Sequence, residues 1–216
     1  SVAYHPSKPV AATVSDDATW RLWAMPDGEL IMTGEGHRTW LADVDFHPGG
    51  TKLATCSGDG IIKVWDLTTA SCVATYPEHT QTTWSIAFHS GGDFLASASM
   101  DHSCRLFDLH TGRVRQTLRG HVDSVNAVTW QPFSPIAATG SGDKTVSLWD
   151  IRSGLSVQTF YGHTNAVNDV VFSLAGDAVA SCDADGIVCV WDVRMVGERG
   201  NVQLGRFAAH GLALDH

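Results

Sequence analysis

The segment SASMDHSCRLFDLHTG, residues 97–112, gathers three serines, two aspartates, two histidines and a cysteine into one short span. Serine, histidine and aspartate together can supply a nucleophile, its base and an orienting acid, whereas histidine with cysteine can ligate a soft metal. Either chemistry needs one convergent geometry. The same residue types recur elsewhere at fixed spacing, however, and a set repeated along a chain points to framework.

The spacing is strict. SGDGIIKVWDL from Ser57, SGDKTVSLWDI from Ser141 and DADGIVCVWDV from Asp183 lie at multiples of 42 residues. Trp23, Trp65, Phe107, Trp149 and Trp191 share one column of this register, and Asp17, Asp59, Asp101, Asp143 and Asp185 share another. GEGH, YPEH, LRGH and FYGH end at His37, His79, His121 and His163, again 42 apart. A period of this length signals a repeat architecture with one supersecondary unit per repeat.

Each repeat must position its residues on strands. LADVDFHP alternates apolar and polar positions, KLATCS and IIKVWDL follow as short runs, and SCVATYP supplies a fourth. HPGGTK, SGDG and LTTAS between them carry the glycine, aspartate and serine of tight turns. No comparable segment has a 3.6-residue period, so the chain reads as all-β. Repeat units fall near 1–42, 43–84, 85–126, 127–168 and 169–210, with 211–216 opening a sixth.

Composition bounds the remaining possibilities. The 216 residues are 44% hydrophobic and 17% charged, which is globular, and the net charge of -9 disfavours nucleic acid as a main partner. The cysteines at 56, 72, 104, 182 and 189 are odd in number and lack CxxC spacing, which argues against a disulfide framework or zinc module and favours a reducing compartment. No apolar run approaches membrane-spanning length, and the first residues lack a signal peptide's pattern. GxSxG, Walker A and HExxH motifs are absent. The expectation is no catalytic site, cofactor or metal.

The recurring GH and WD positions resemble the WD-repeat family along the whole chain, and that resemblance implies a WD40 β-propeller. It implies about five blades plus the start of a sixth, part of a larger ring that commonly closes with seven. It also implies a hydrogen-bonded tetrad in each blade, carried here by His37, Thr55, Asp59 and Trp65, by His121, Thr139, Asp143 and Trp149, and by His163, Ser181, Asp185 and Trp191. The remaining set is His79, Ser97, Asp101 and Phe107, expected to be the weakest because phenylalanine has no indole N–H. The first blade supplies Thr13, Asp17 and Trp23 without a histidine. His210 falls five residues late for its column, whose expected position is Gly205, so the sixth blade is expected to lack a histidine tetrad.

In that family, partners often bind the top, formed by the loops before each first strand and between the second and third. Register places Trp40, Trp84, Met100, Asn126 and Asn168 there as candidate partner-binding residues. Arg38, Arg119 and Lys144 read as solvated charges. The less generic phrases LIMTGEGH, PFS from Pro132 and SCD from Ser181 are similar to WD-repeat proteins of the ciliary central apparatus. This implies a non-enzymatic scaffold in the axoneme of motile cilia and flagella, within the cytoplasmic cytoskeleton. It would bridge the two central microtubules, bind other central-apparatus proteins and extend to the microtubules themselves in a large complex, with no nucleic acid and no membrane. The alternative is an adaptor propeller in a ubiquitin-ligase or signalling complex.

Overall fold

A computed structural model describes residues 1–194 and the backbone of a final strand over 198–203. Twenty strands form five four-stranded antiparallel sheets, with no helix among the described residues. The first sheet comprises β1 (Val2–Tyr4), β2 (Val10–Val14), β3 (Trp20–Ala24) and β4 (Leu30–Gly34). The second comprises β5 (Leu41–Phe46), β6 (Lys52–Ser57), β7 (Ile62–Asp66) and β8 (Ser71–Tyr76). In the third are β9 (Thr83–Phe88), β10 (Phe94–Ser99), β11 (Ser103–Asp108) and β12 (Arg113–Arg119). The fourth holds β13 (Val125–Trp130), β14 (Ile136–Ser141), β15 (Thr145–Asp150) and β16 (Leu155–Tyr161). The fifth holds β17 (Val167–Phe172), β18 (Ala178–Asp183), β19 (Ile187–Asp192) and β20 (Glu198–Gln203).

These sheets are propeller blades. Each is a meander in which neighbours in sequence pair, and the first strands of successive sheets lie against one another, β1 to β5, β5 to β9, β9 to β13 and β13 to β17. Middle strands such as β6 are buried on both faces, whereas fourth strands such as β8 are largely exposed. The expected start of a sixth blade, with Gly205 and His210, lies outside the described residues.

No blade owns its core. One apolar cluster joins Trp20 and Leu22 of the first sheet to Val44, Phe46 and Trp65 of the second, and another joins Ile62 and Tyr76 to Ile86 and Phe107. Equivalent clusters follow between the third and fourth sheets and between the fourth and fifth. Full burial of a large apolar side chain is worth about 1.5–3 kcal/mol, so these shared layers drive blade-to-blade docking.

Two local devices recur. The pairing of third with fourth strand shifts register immediately before the tryptophan column, at Leu22/Trp23, Val64/Trp65, Leu106/Phe107, Leu148/Trp149 and Val190/Trp191. Such a bulge re-aims the side chain beside it, here toward the second strand. The turn between second and third strands places Gly60, His102 and Lys144 at positive φ, so His102 occupies a turn position where glycine is strain-free.

Candidate functional site

The third blade answers the question raised by its sequence. His79 Nε2 lies 2.6 Å from Ser97 Oγ, and His79 Nδ1 lies 2.8 Å from Asp101 Oδ2. This has the connectivity of a hydrolytic triad. Ser97 is wholly buried, however, and a hydroxyl without solvent access meets no substrate. Burial pushes the Asp101 carboxyl up, but hydrogen bonds from Ser103 and His79 outweigh it and hold the group at about 2. His79 is lowered, burial being the largest cause. Both directions favour neutral imidazole beside carboxylate at neutral pH, with Nδ1–H donating to Asp101 and Nε2 accepting from the serine. Cys104 is interior, and burial raises its thiol to about 12. His102 is exposed, and His110 pairs with Asp93 at the surface, 2.9 Å away.

The fourth blade has the fullest set. His121 bridges Asp143 at 2.8 Å and Thr139 at 2.7 Å, while Trp149 Nε1 donates to the same threonine hydroxyl at 2.8 Å. Indole, hydroxyl, imidazole and carboxylate thus form one chain of donors and acceptors across two strands, the turn between them and the preceding loop.

Two sets differ from the expectation. In the second blade, His37 meets Thr55 at 2.8 Å and Trp65 donates to Thr55 at 2.8 Å, but the buried His37 Nδ1 has no partner. Asp59 is turned away, accepting instead from the Ser57 hydroxyl and the Ile61 amide. His37 accordingly falls to about 4, chiefly through burial. In the fifth blade the aspartate assignment is corrected: Asp183, not Asp185, meets His163 Nδ1, at 2.9 Å. His163 Nε2 and Trp191 Nε1 converge on Ser181 at 2.6 and 2.7 Å, while exposed Asp185 accepts from Thr164 and Asn165.

One position differs in both departing blades, and in the fifth Asp183 also stands where the other blades carry Ser57, Ser99 and Ser141. Two residues after the turn aspartate stand Thr19, Ile61, Ser103, Thr145 and Ile187. Ser103 and Thr145 donate a hydroxyl hydrogen to one carboxylate oxygen, at 2.5 and 2.6 Å, leaving the other oxygen aimed at histidine. Isoleucine cannot do this, and where it stands the turn aspartate leaves its histidine. The Phe107 blade, expected to be weakest because it lacks an indole N–H, keeps its His–Asp link. His79 keeps Asp101, and Phe107 is wholly buried with Tyr76 at 4.6 Å between ring centroids.

On the top, Trp40 and Trp84 come from neighbouring blades yet meet, ring centroids 5.5 Å apart and tilted by 36°. Trp84 and Met100 are exposed, and Trp40 is half-buried over Gly58. Asn126 is committed elsewhere: it accepts from the Ser124 hydroxyl and donates to the Val167 carbonyl of the next blade, both at 2.8 Å. Asn168 is half-buried and already engaged. The five top-face candidates therefore divide into a tryptophan pair with exposed Met100 and two occupied amides.

An open cleft of 390 Å³ flanks the fourth blade, lined by Arg119, Val122, Ser147, Thr159 and Tyr161 beside the His121 brace. His5, His47 and His89 lie 42 residues apart in another column. The structure shows each reaching one blade onward, to the carbonyls of Gly50, Gly92 and Ser134.

Comparison with known proteins agrees with this geometry. A 38-residue stretch is 58% identical to the flagellar WD repeat-containing protein Pf20 of Chlamydomonas reinhardtii, covering 18% of this chain and 6% of that protein, so the chain matches only a small part of that relative. The WD domain, G-beta repeat family matches residues 1–24, 28–66, 70–108, 112–150 and 154–192, in step with the five sheets. The chain belongs to the WD-repeat family.

Proposed function

We propose that this WD-repeat scaffold is a non-catalytic component of the axonemal central apparatus in motile cilia and flagella. In this reading it bridges the central-pair microtubules, binds other central-apparatus proteins and supports assembly and motility. The observation that carries it is the 58% local identity to a flagellar WD-repeat protein. The phrases LIMTGEGH, PFS and SCD add support through their similarity to the ciliary protein sperm-associated antigen sixteen.

Within this reading the histidine, hydroxyl and aspartate sets brace the blades, and the top aromatic group docks partners. Bracing fits their depth, since Ser97, Thr139 and Ser181 are wholly buried. An adaptor reading would call for a basic pocket, and the top candidates include no arginine cluster. The test is localisation of the tagged full-length protein in motile ciliated cells. Enrichment along the axoneme, retained after detergent extraction of the membrane, is the expected result, and absence from the axoneme would overturn the proposal.

A further inference from the structure

We infer that Trp40, Trp84 and Met100 form a cation platform, which takes an arginine side chain from an extended basic segment of a protein partner. The inference rests on the interaction-scaffold reading and gives its docking surface a specific chemistry.

The platform is built rather than incidental. Trp40 lies so close over the second-blade turn that a Cβ on Gly58 would fall 2.5 Å from its indole ring. Glycine there lets the ring lie down on the turn backbone. The Gly58 amide donates to the Trp40 carbonyl at 3.0 Å, and the Thr82 hydroxyl donates to the Gly58 carbonyl at 3.0 Å. These bonds tie together the loops that carry the two indoles. Met100 is tied in as well, since its amide donates to the Thr82 carbonyl at 2.9 Å. Trp84 is nevertheless 37% exposed and Met100 44% exposed, so the held group still faces solvent.

Charge selects the occupant. An indole face carries negative electrostatic potential and attracts a cation, tryptophan most strongly among the aromatic side chains. The top turns and loops of the first three blades add Asp16, Glu35, Asp59, Glu78 and Asp101, on a chain of net charge -9. Against these stand exposed Arg38, Arg21 paired with Asp17 at 2.7 Å, and Arg105, which lies 3.8 Å from Glu78 and 3.9 Å from Asp101, so the acidic groups still outnumber the cations. Among the described residues, the cations placed over rings are Lys63 above Trp65 and Arg115 above Phe94. Trp40 and Trp84 carry none, and the part of the pair that reaches solvent is chiefly Trp84, since Trp40 lies on the Gly58 turn and against Trp84. A planar guanidinium stacks on indole and is more weakly hydrated than an ammonium, which favours arginine over lysine. The methionine thioether gives the side chain's methylene stem an adaptable apolar contact.

The experiment uses the full-length protein and a fluorescein-labelled peptide of arginines spaced by glycine and serine. A citrulline version, equal in shape without the charge, is the comparison probe. Binding of the arginine peptide, and its weakening by roughly tenfold in Trp84→Leu, is the result expected from cation–π contacts. The citrulline peptide should bind weaker still. Equal binding by wild type and Trp84→Leu would assign the affinity to surface charge alone and overturn the platform, as would equal binding of both peptides. Should Trp84→Leu melt early, Met100→Lys replaces an exposed side chain with a competing cation. It should weaken the arginine peptide at an unchanged melting temperature, and unchanged binding would overturn the inference. Localisation of the same tagged protein separates the two proposals, because peptide binding persists in a protein absent from the axoneme only if the platform is right and the cellular reading is wrong.

Discussion

At the scale of single residues, the WD-repeat braces depend on a side chain outside the nominal set. A hydroxyl two residues after the turn aspartate aims the carboxylate at histidine, so Ile61→Thr should rotate Asp59 onto the orphaned His37 Nδ1. The expected outcome is a rise of the His37 pKa from about 4, followed by NMR titration, with a gain of about 1 kcal/mol from the new hydrogen bond. An unchanged titration would show that the hydroxyl does not steer the aspartate. The fifth blade provides the complementary case. Asp183 accepts from His163 and from the amides of Asp185 and Ile187 in full burial, whereas Asp185 is exposed. Asp183→Ala should cost about 3 kcal/mol and Asp185→Ala no more than about 0.5 kcal/mol in urea denaturation. The reverse order would restore the original column assignment. Asp143→Ala, which strips His121 of its acceptor, should cost about 1–3 kcal/mol.

At the scale of elements, the blades keep one backbone while redistributing volume. Trp20 pairs across β3 and β4 with Gly34, Ile62 with Tyr76, Cys104 with Leu118 and Val146 with Phe160. The largest side chain, Trp20, faces glycine, and in the other three pairs the fourth strand carries the bulkier partner, as close packing of a shared interior demands. A Cβ on Gly34 would lie 1.9 Å from the Trp20 ring. Gly34→Val should therefore destabilise the protein by about 1–3 kcal/mol through overpacking. The double variant Trp20→Val with Gly34→Phe reproduces the fourth-blade pair and should recover much of the loss. Additive losses in the double variant would refute the exchange. The column positions of these residues are legible in the repeat. Their pairing needs the strand register, which the bulge beside the tryptophan column resets in a way no spacing rule displays.

At the scale of the whole molecule, adjacent blades are joined by polar bonds laid over the apolar layers. His47 accepts from the Gly49 amide through Nδ1 and donates through Nε2 to the Gly92 carbonyl at 3.0 Å, which fixes its tautomer, and His5 repeats the pattern onto Gly50. In the fourth blade Gln131 takes this role, donating to the Gly176 carbonyl. Asp43 and Asp45 on β5 accept from the Ile86 and Phe88 amides of β9, at 3.0 and 2.7 Å. Burial, with Asp43's charge adding to it, raises Asp45 to about 7. A carboxyl raised on folding holds more protons in the native than in the unfolded state, so its stability contribution falls as pH rises from about 4 to about 7. Asp45→Asn keeps an acceptor oxygen and removes the ionisation. The wild type should lose denaturation midpoint relative to this variant across that window, and a constant difference between them would show that the β5–β9 contact does not titrate.

The 42-residue period by itself determined the repeat units and their four short strands, because each repeat must bury the same face at the same position. It also marked the repeated residues of the 97–112 segment as framework. Tertiary structure alone decided which aspartate meets each histidine, since that depends on whether a neighbouring hydroxyl or alkyl group contacts the carboxylate. It decided too that Trp40 and Trp84, from different columns of different blades, form one surface while Asn126 is spent between blades. Columns in a repeat report what is alike in every blade. Contacts across blades depend on side chains one repeat apart that differ, and only the assembled backbone brings those together.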